Sequence, residues 1–183
     1  MRNLFPAAGV CIAVASLALG ACAPSDSNES SATDATTGSV VSSSTAPSAP
    51  PVPEPAAEEA CPYLDTAWVE RTNGQRVSEV RISDDDETPA CFFYTLDGEQ
   101  QLMSRVYSGD RAVAVAIVDA AAPVDESNQA TEPAGWRGGY LSDEDGATYA
   151  VARDDTAVVV TTNQGQSVKA RSVVERVIEE LGL

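Results

Sequence analysis

The chain has no histidine and a single lysine, Lys169, among its 183 residues. Without imidazole there is no histidine-based triad, no imidazole acid–base pair and no histidine-containing zinc site. Gln166 stands three residues before the lysine, so the Ser-x-x-Lys signature of penicillin-binding enzymes is absent, as is Gly-x-Ser-x-Gly. Gly138-Gly139 is only a pair and lacks the spacing of a phosphate-cradling loop. Basic residues are scarce: 11 Lys plus Arg stand against 28 Asp plus Glu, a formal net charge of −17. That imbalance argues against nucleic acid and anionic lipid headgroups as partners, since both would be repelled. Carboxylate chemistry stays open, because a glycosidase needs only two acids, but no pair is singled out. The reading is therefore non-enzymatic and without a cofactor, with a carboxylate-dependent glycosidase as the enzymatic alternative.

What is present begins with an export leader. Arg2 supplies a lone positive charge, and an apolar core over residues 4–19 follows, broken by Pro6, Gly9 and Ser16. A membrane-spanning helix needs roughly 20 apolar residues, and polar Ser25, Asp26 and Asn28 follow with no basic cluster. The core ends at Leu19-Gly20-Ala21-Cys22, which resembles the bacterial lipobox. By that resemblance residues 1–21 are a lipoprotein signal peptide and Cys22 becomes an acylated N-terminus. Two or more acyl chains anchor a protein stably where one does not. The expected address is the extracytoplasmic face of a cell membrane.

Residues 23–60 turn abruptly to Ser, Thr, Ala and Pro, with no aromatic residue and no Lys or Arg. Such a composition cannot bury enough apolar surface to offset ordering entropy. Residues 22–60 are thus expected to be a lipidated cysteine plus a disordered tether, about 35 Å in root-mean-square span as a random coil. Its Ser/Thr/Pro mix also suits O-glycosylation.

Residues 61–183 have the length of one domain. Cys61 and Cys91 lie beyond an export signal and lack Cys-x-x-Cys spacing, so a structural disulfide is expected. Pro62 at a first helical position, then Leu64, Ala67 and Trp68, predicts a short helix ending near Asn73-Gly74. Val77, Val80 and Ile82 suggest a strand, and residues 90–95 and 102–107 flank the hairpin signal Asp97-Gly98. Residues 110–122 alternate like a strand at Val113, Val115 and Ile117, but the alanines and an Asp110 cap favour a helix, which is the choice made. A loop over 123–135 precedes three antiparallel strands at 136–141, 147–153 and 157–162. Ser167 as N-cap, a stripe of Ala170, Val173, Val174, Val177, Ile178 and Leu181, and Gly182 define a last amphipathic helix. The class is α+β, an antiparallel sheet of five to six strands covered by helices.

Residues 61–183 hold 22 acidic and 10 basic residues, a balance of −12. Solubility explains it blandly. Calcium is the sharper alternative, through Asp84-Asp85-Asp86-Glu87 and Asp143-Glu144-Asp145-Gly146, yet neither cluster matches a twelve-residue calcium loop, and no metal is assigned. Residues 133–140 crowd Trp136, Arg137 and Tyr140 among three glycines. That is either an interaction edge or a tryptophan packed under the sheet beside a glycine bulge.

With Cys61-Pro62-Tyr63-Leu64, Ala90-Cys91-Phe92-Phe93, Ala120-Ala121-Ala122-Pro123, Gly135-Trp136-Arg137-Gly138-Gly139 and Thr161-Thr162-Asn163-Gln164, the domain resembles an uncharacterised actinobacterial lipoprotein family, domain of unknown function 2020. The resemblance implies a cell-envelope setting, a PsbP-like α/β/α sandwich used for docking, and no catalytic residues. The expected role is a protein-interaction or accessory lipoprotein with an envelope protein as partner. A small-ligand or lipid-binding module, with a pocket between helix and sheet, is the alternative.

Overall fold

The computed structural model describes residues 47–85 and 87–183. The expected leader, the lipidation site Cys22, residues 22–46 of the tether and Asp86 lie outside the described residues.

Local chemistry sets the elements. Helix α1 (Thr66–Asn73) begins at Asp65, whose carboxylate accepts the Trp68 N–H at 2.8 Å, and ends at Gly74 with φ 79°. The expected start at Pro62 is corrected: residues 62–64 instead form a bend that buries Tyr63 and Leu64. Strand β1 (Glu79–Ile82) precedes the hairpin of β2 (Cys91–Tyr94) and β3 (Gln100–Ser108), turned by Gly98 at φ 82°. Residues 110–122 are helical: Asp110 accepts from the Ala112 and Val113 N–H groups at the head of α2 (Arg111–Ala121). The loop expected over 123–135 contains a strand, β4 (Asn128–Ala130), too short and polar to show in the hydrophobic pattern. Strands β5 (Arg137–Ser142), β6 (Ala147–Arg153) and β7 (Thr156–Thr162) follow as expected. Gln166 rather than Ser167 holds the N-cap position of helix α3 (Ser167–Leu181), with no side-chain cap bond, and Ser167 is its first helical residue.

The seven strands form one antiparallel sheet in the order β1-β2-β3-β7-β6-β5-β4. The count exceeds the expected five to six because of β4. One face, with Phe93, Leu102, Tyr149, Val151, Val158 and Val160, packs under α1 and α3. Val173, Val174 and Val177 of α3 are fully buried there, each contributing roughly 1.5–3 kcal/mol. The other face packs Ala150, Ala157 and Val159 against Ala114, Ile117 and Val118 of α2. Helices thus lie on both faces, a three-layer arrangement. Strands β5 and β6 pair in unbroken register, so the glycines form no bulge. They admit a close approach instead: a Cβ on Gly138 would collide first with the Ala150 carbonyl of β6 and would lie 2.9 Å from Val118 Cγ1, and one on Gly139 would lie 2.5 Å from Ser127 Oγ.

Cys61 and Cys91 are joined by a disulfide that fixes the lead into α1 to β2. A buried polar group locks the opposite end of the sheet. Asn73 Nδ2 donates to Gln101 Oε1 at 3.0 Å, Gln101 Nε2 donates to the Arg76 carbonyl at 2.8 Å, and Thr162 Oγ1 donates to Asn73 Oδ1. The only lysine completes it: Lys169 Nζ donates to the Asn73 carbonyl at 2.8 Å and to Gln164 Oε1 at 2.9 Å. A cation at the carboxyl end of α1 also complements the helix dipole. Lys169→Met is expected to cost about 1–2 kcal/mol, since it leaves two acceptors without their charged donor at a partly buried site. Urea midpoints check this; an unchanged midpoint would place the lysine outside the framework.

Candidate functional site

The second face has two halves. Helix α2 covers one, and beside the other, residues 50–56 line a cleft together with Ala90, Arg105 and Tyr107. The expected tether therefore does not run free up to residue 60. The Ala56 and Ala57 N–H groups donate to the Ile82 carbonyl at 2.8 and 3.1 Å, and the Ile82 N–H donates to the Ala57 carbonyl at 2.9 Å, extending the sheet beyond β1. From there a proline-rich strap runs back across the face. Ala49, Pro53, Pro55 and Ala57 are half-buried while Pro50, Pro51, Val52, Glu54 and Ala56 are exposed. Near its start, Ala49 packs against the α2 cluster beside Tyr107.

Between this strap, the loop over 83–88 and the end of β3 opens a cleft of about 920 Å³. Pro50, Pro51, Pro53 and Pro55 form one wall, and Arg105, Tyr107 and Ser108 of β3 line the opposite side. Asp84, Asp85 and Glu87 stand at the rim with Glu54 of the strap, so acids outnumber the single lining arginine among the described residues. Burial lowers the Arg105 guanidinium from its ordinary pKa, and the nearby charge of Asp85 opposes that shift.

The loop carrying the acids is held at its base. Buried Ser83 donates through Oγ to Asp85 Oδ2 at 2.6 Å and accepts the Ala90 N–H at 2.8 Å. Beneath it, Tyr63 Oη donates to the Pro89 carbonyl at 2.9 Å and lies 3.1 Å from Ser104 Oγ. Burial pushes the Tyr63 phenol up to about 12, against the opposing pull of the Ser104 hydrogen bond. The folded chain thus holds this proton more tightly than the unfolded chain, whose phenol titrates near 10. The stability it confers is complete below pH 10 and is lost as the pH rises to about 12, at about 1.4 kcal/mol per pH unit. Tyr63→Phe is expected to remove that component from the alkaline stability profile, leaving a shallower slope between pH 10 and 12.

The residues singled out at 133–140 do not form an exposed edge together. Trp136 is 2 % exposed and packs in the core under α3, with the Arg153 guanidinium 4.8 Å from its ring centre. Tyr140 is half-buried and stacks on Tyr149 with centroids 5.9 Å apart; Arg137 is exposed. All three belong to or adjoin β5, an internal strand between β4 and β6. Asp143 Oδ1 accepts from the Asp145 and Gly146 N–H groups, so that acidic stretch shapes a turn. Among the described residues no group of three or more His, Cys, Asp or Glu side chains is placed to hold a metal ion, and no helix is long and apolar enough to cross a membrane.

The cleft is not legible in the sequence, because one of its walls has the composition of a tether. The available signal was the recurrence of proline at 51, 53 and 55, which suits an extended chain lying on a surface. Nor does the cleft lie between helix and sheet, where the small-ligand alternative expected a pocket.

One protein family, described as a domain of unknown function (DUF2020), matches residues 45–183. The match begins two residues before the first described residue and takes in the whole strap. No curated protein matches the chain.

Proposed function

The chain belongs to the DUF2020 family, and we propose that it is a non-enzymatic interaction module, lipid-anchored through Cys22 on the extracytoplasmic face of a cell membrane. The cleft beneath the strap is its recognition surface, and its partner is another protein of the envelope. The observation that carries this reading is the cleft itself: about 920 Å³ of open space on a domain stapled by a disulfide. Its size lies in the range of ligand sites, and its walls are a proline-rich strap and a pinned loop. The leader charge, apolar core, lipobox and polar continuation support the anchor by their order in the sequence.

Two experiments test the parts separately. Cys22→Ala is expected to move the protein from the membrane fraction to the soluble one, and retention in the membrane would overturn the anchor. Ser108→Trp, an exposed position lining the cleft, is expected to abolish co-purification of a partner from native membranes. Val168→Trp, at an exposed position of α3, should preserve it. Equal retention by both variants would remove the cleft from recognition.

A further inference from the structure

Resting on that reading of the cleft, we infer that the strap is the resident occupant of a groove for extended proline-rich chains, and that a basic, proline-rich segment of a second polypeptide displaces it. The first ground is the strap itself. It carries prolines at 47, 50, 51, 53 and 55, which fix φ and remove backbone donors, so little entropy is lost when such a chain settles on a surface. The face has therefore already accepted one ligand of this class, presented in cis.

Its hold is weak over most of its length. Among the described residues the backbone of 47–55 makes no hydrogen bond to the backbone of the domain; those bonds start at Ala56. What remains is contact by alternate side chains, Ala49, Pro53 and Pro55, each only half-buried. Release has a defined stop, because the Ala57 pairing with Ile82 and the Cys61–Cys91 disulfide hold the chain behind the strap. The strap can lift while the sheet and its helices stay folded.

The fit is also incomplete, and the mismatch says what would fit better. About 920 Å³ stays open beside the strap, room for side chains longer than its own proline, alanine and valine. The one charge the strap brings is Glu54, and it shares the cleft with Asp84, Asp85 and Glu87. Like charges lining one cleft oppose docking, whereas a Lys or Arg at the corresponding position would be drawn in, past a domain surface with a net charge of −12 over residues 61–183. The strap wins by connection, since an intramolecular ligand acts at millimolar effective concentration. A partner segment competes by replacing that glutamate with a base and by filling the open volume.

Two synthetic peptides test this: residues 47–57, the strap, and the same peptide with Glu54→Lys. They are titrated into the detergent-solubilised full chain and into a strap-loosened chain carrying Pro50→Ser, Pro51→Ser, Pro53→Ser and Pro55→Ser. The loosened chain is expected to bind both peptides, the lysine peptide about three- to tenfold more tightly, and the unaltered chain at least about tenfold more weakly because its own strap competes. No binding by a folded loosened chain, equal binding by the two chains, or indifference to the lysine would each overturn the inference. Should the loosened chain not fold, nitroxides at Val52 and Ser108 of the otherwise unaltered chain give the answer. Their separation must lengthen on adding the lysine peptide, and a constant distance overturns displacement. Peptide binding without a cellular partner at the cleft would sink the module reading alone. A partner captured there without peptide binding would sink this inference alone.

Discussion

Replacing both Cys61 and Cys91 by alanine is expected to lower the stability of the domain by about 3–4 kcal/mol, read as a fall in Tm of about 10–15 °C for a domain of this size. The pair lies 30 residues apart with Cα atoms 5.6 Å from each other, so the cross-link removes loop-closure entropy from the unfolded chain. Position enlarges the consequence. Cys91 is fully buried in β2, and Cys61 directly follows the segment that pairs at Ala57. The bond therefore clamps the strap's root, the lead into α1 and the sheet at one point. Reduction of the unaltered protein should reproduce the loss, and a Tm within about 2 °C of the oxidised form would show that the clamp is redundant.

Trp136→Ala should destabilise by about 3–5 kcal/mol, the range for deleting a large buried aromatic side chain. The ring is enclosed by the core beneath α3, and the Arg153 guanidinium caps its remaining face. Arg153→Ala removes only an exposed cation–π contact and should cost about 0.5–1 kcal/mol. A double-mutant cycle separates the two contributions. Stability close to that of the unaltered protein after Trp136→Ala would instead return the tryptophan to the surface as a binding anchor.

These cases show which parts of the molecule are legible from sequence. The last helix was, because Ala170, Val173, Val174 and Val177 repeat at helical spacing and all become buried. So were the hairpin at Asp97-Gly98, where the turn demands positive φ, and α2, where the Asp110 cap outweighed the alternation of Val113, Val115 and Ile117. Strand β4 was not, since Asn128-Gln129-Ala130 has no apolar alternation and is a strand only by pairing with β5. Gly138-Gly139 suggests a bulge because a sequence does not show what lies against it; the neighbours are the Ala150 carbonyl of β6, Val118 of α2 and the segment after α2.

The candidate site was the least legible part, for a physical reason. Composition marks residues 47–57 as unable to form a core of their own, which is correct, but it carries no information on whether a neighbouring surface will hold them. The strap's order comes from Ile82, Tyr107 and α2, all distant in sequence. Asp84, Asp85 and Glu87 stand in a visible run of acids. Their meaning as one side of a cleft required the fold that brings β3 and the strap alongside them.

The most direct test of the cleft as a recognition surface is photo-cross-linking in native membranes, with a photoreactive amino acid at Ser108 in the cleft and, separately, at Val168 on α3. The expected result is one recurrent envelope polypeptide captured from Ser108 and not from Val168, its cross-linked stretch extended, proline-rich and basic. The same set of adducts from both positions, or capture from Val168 alone, would contradict the account.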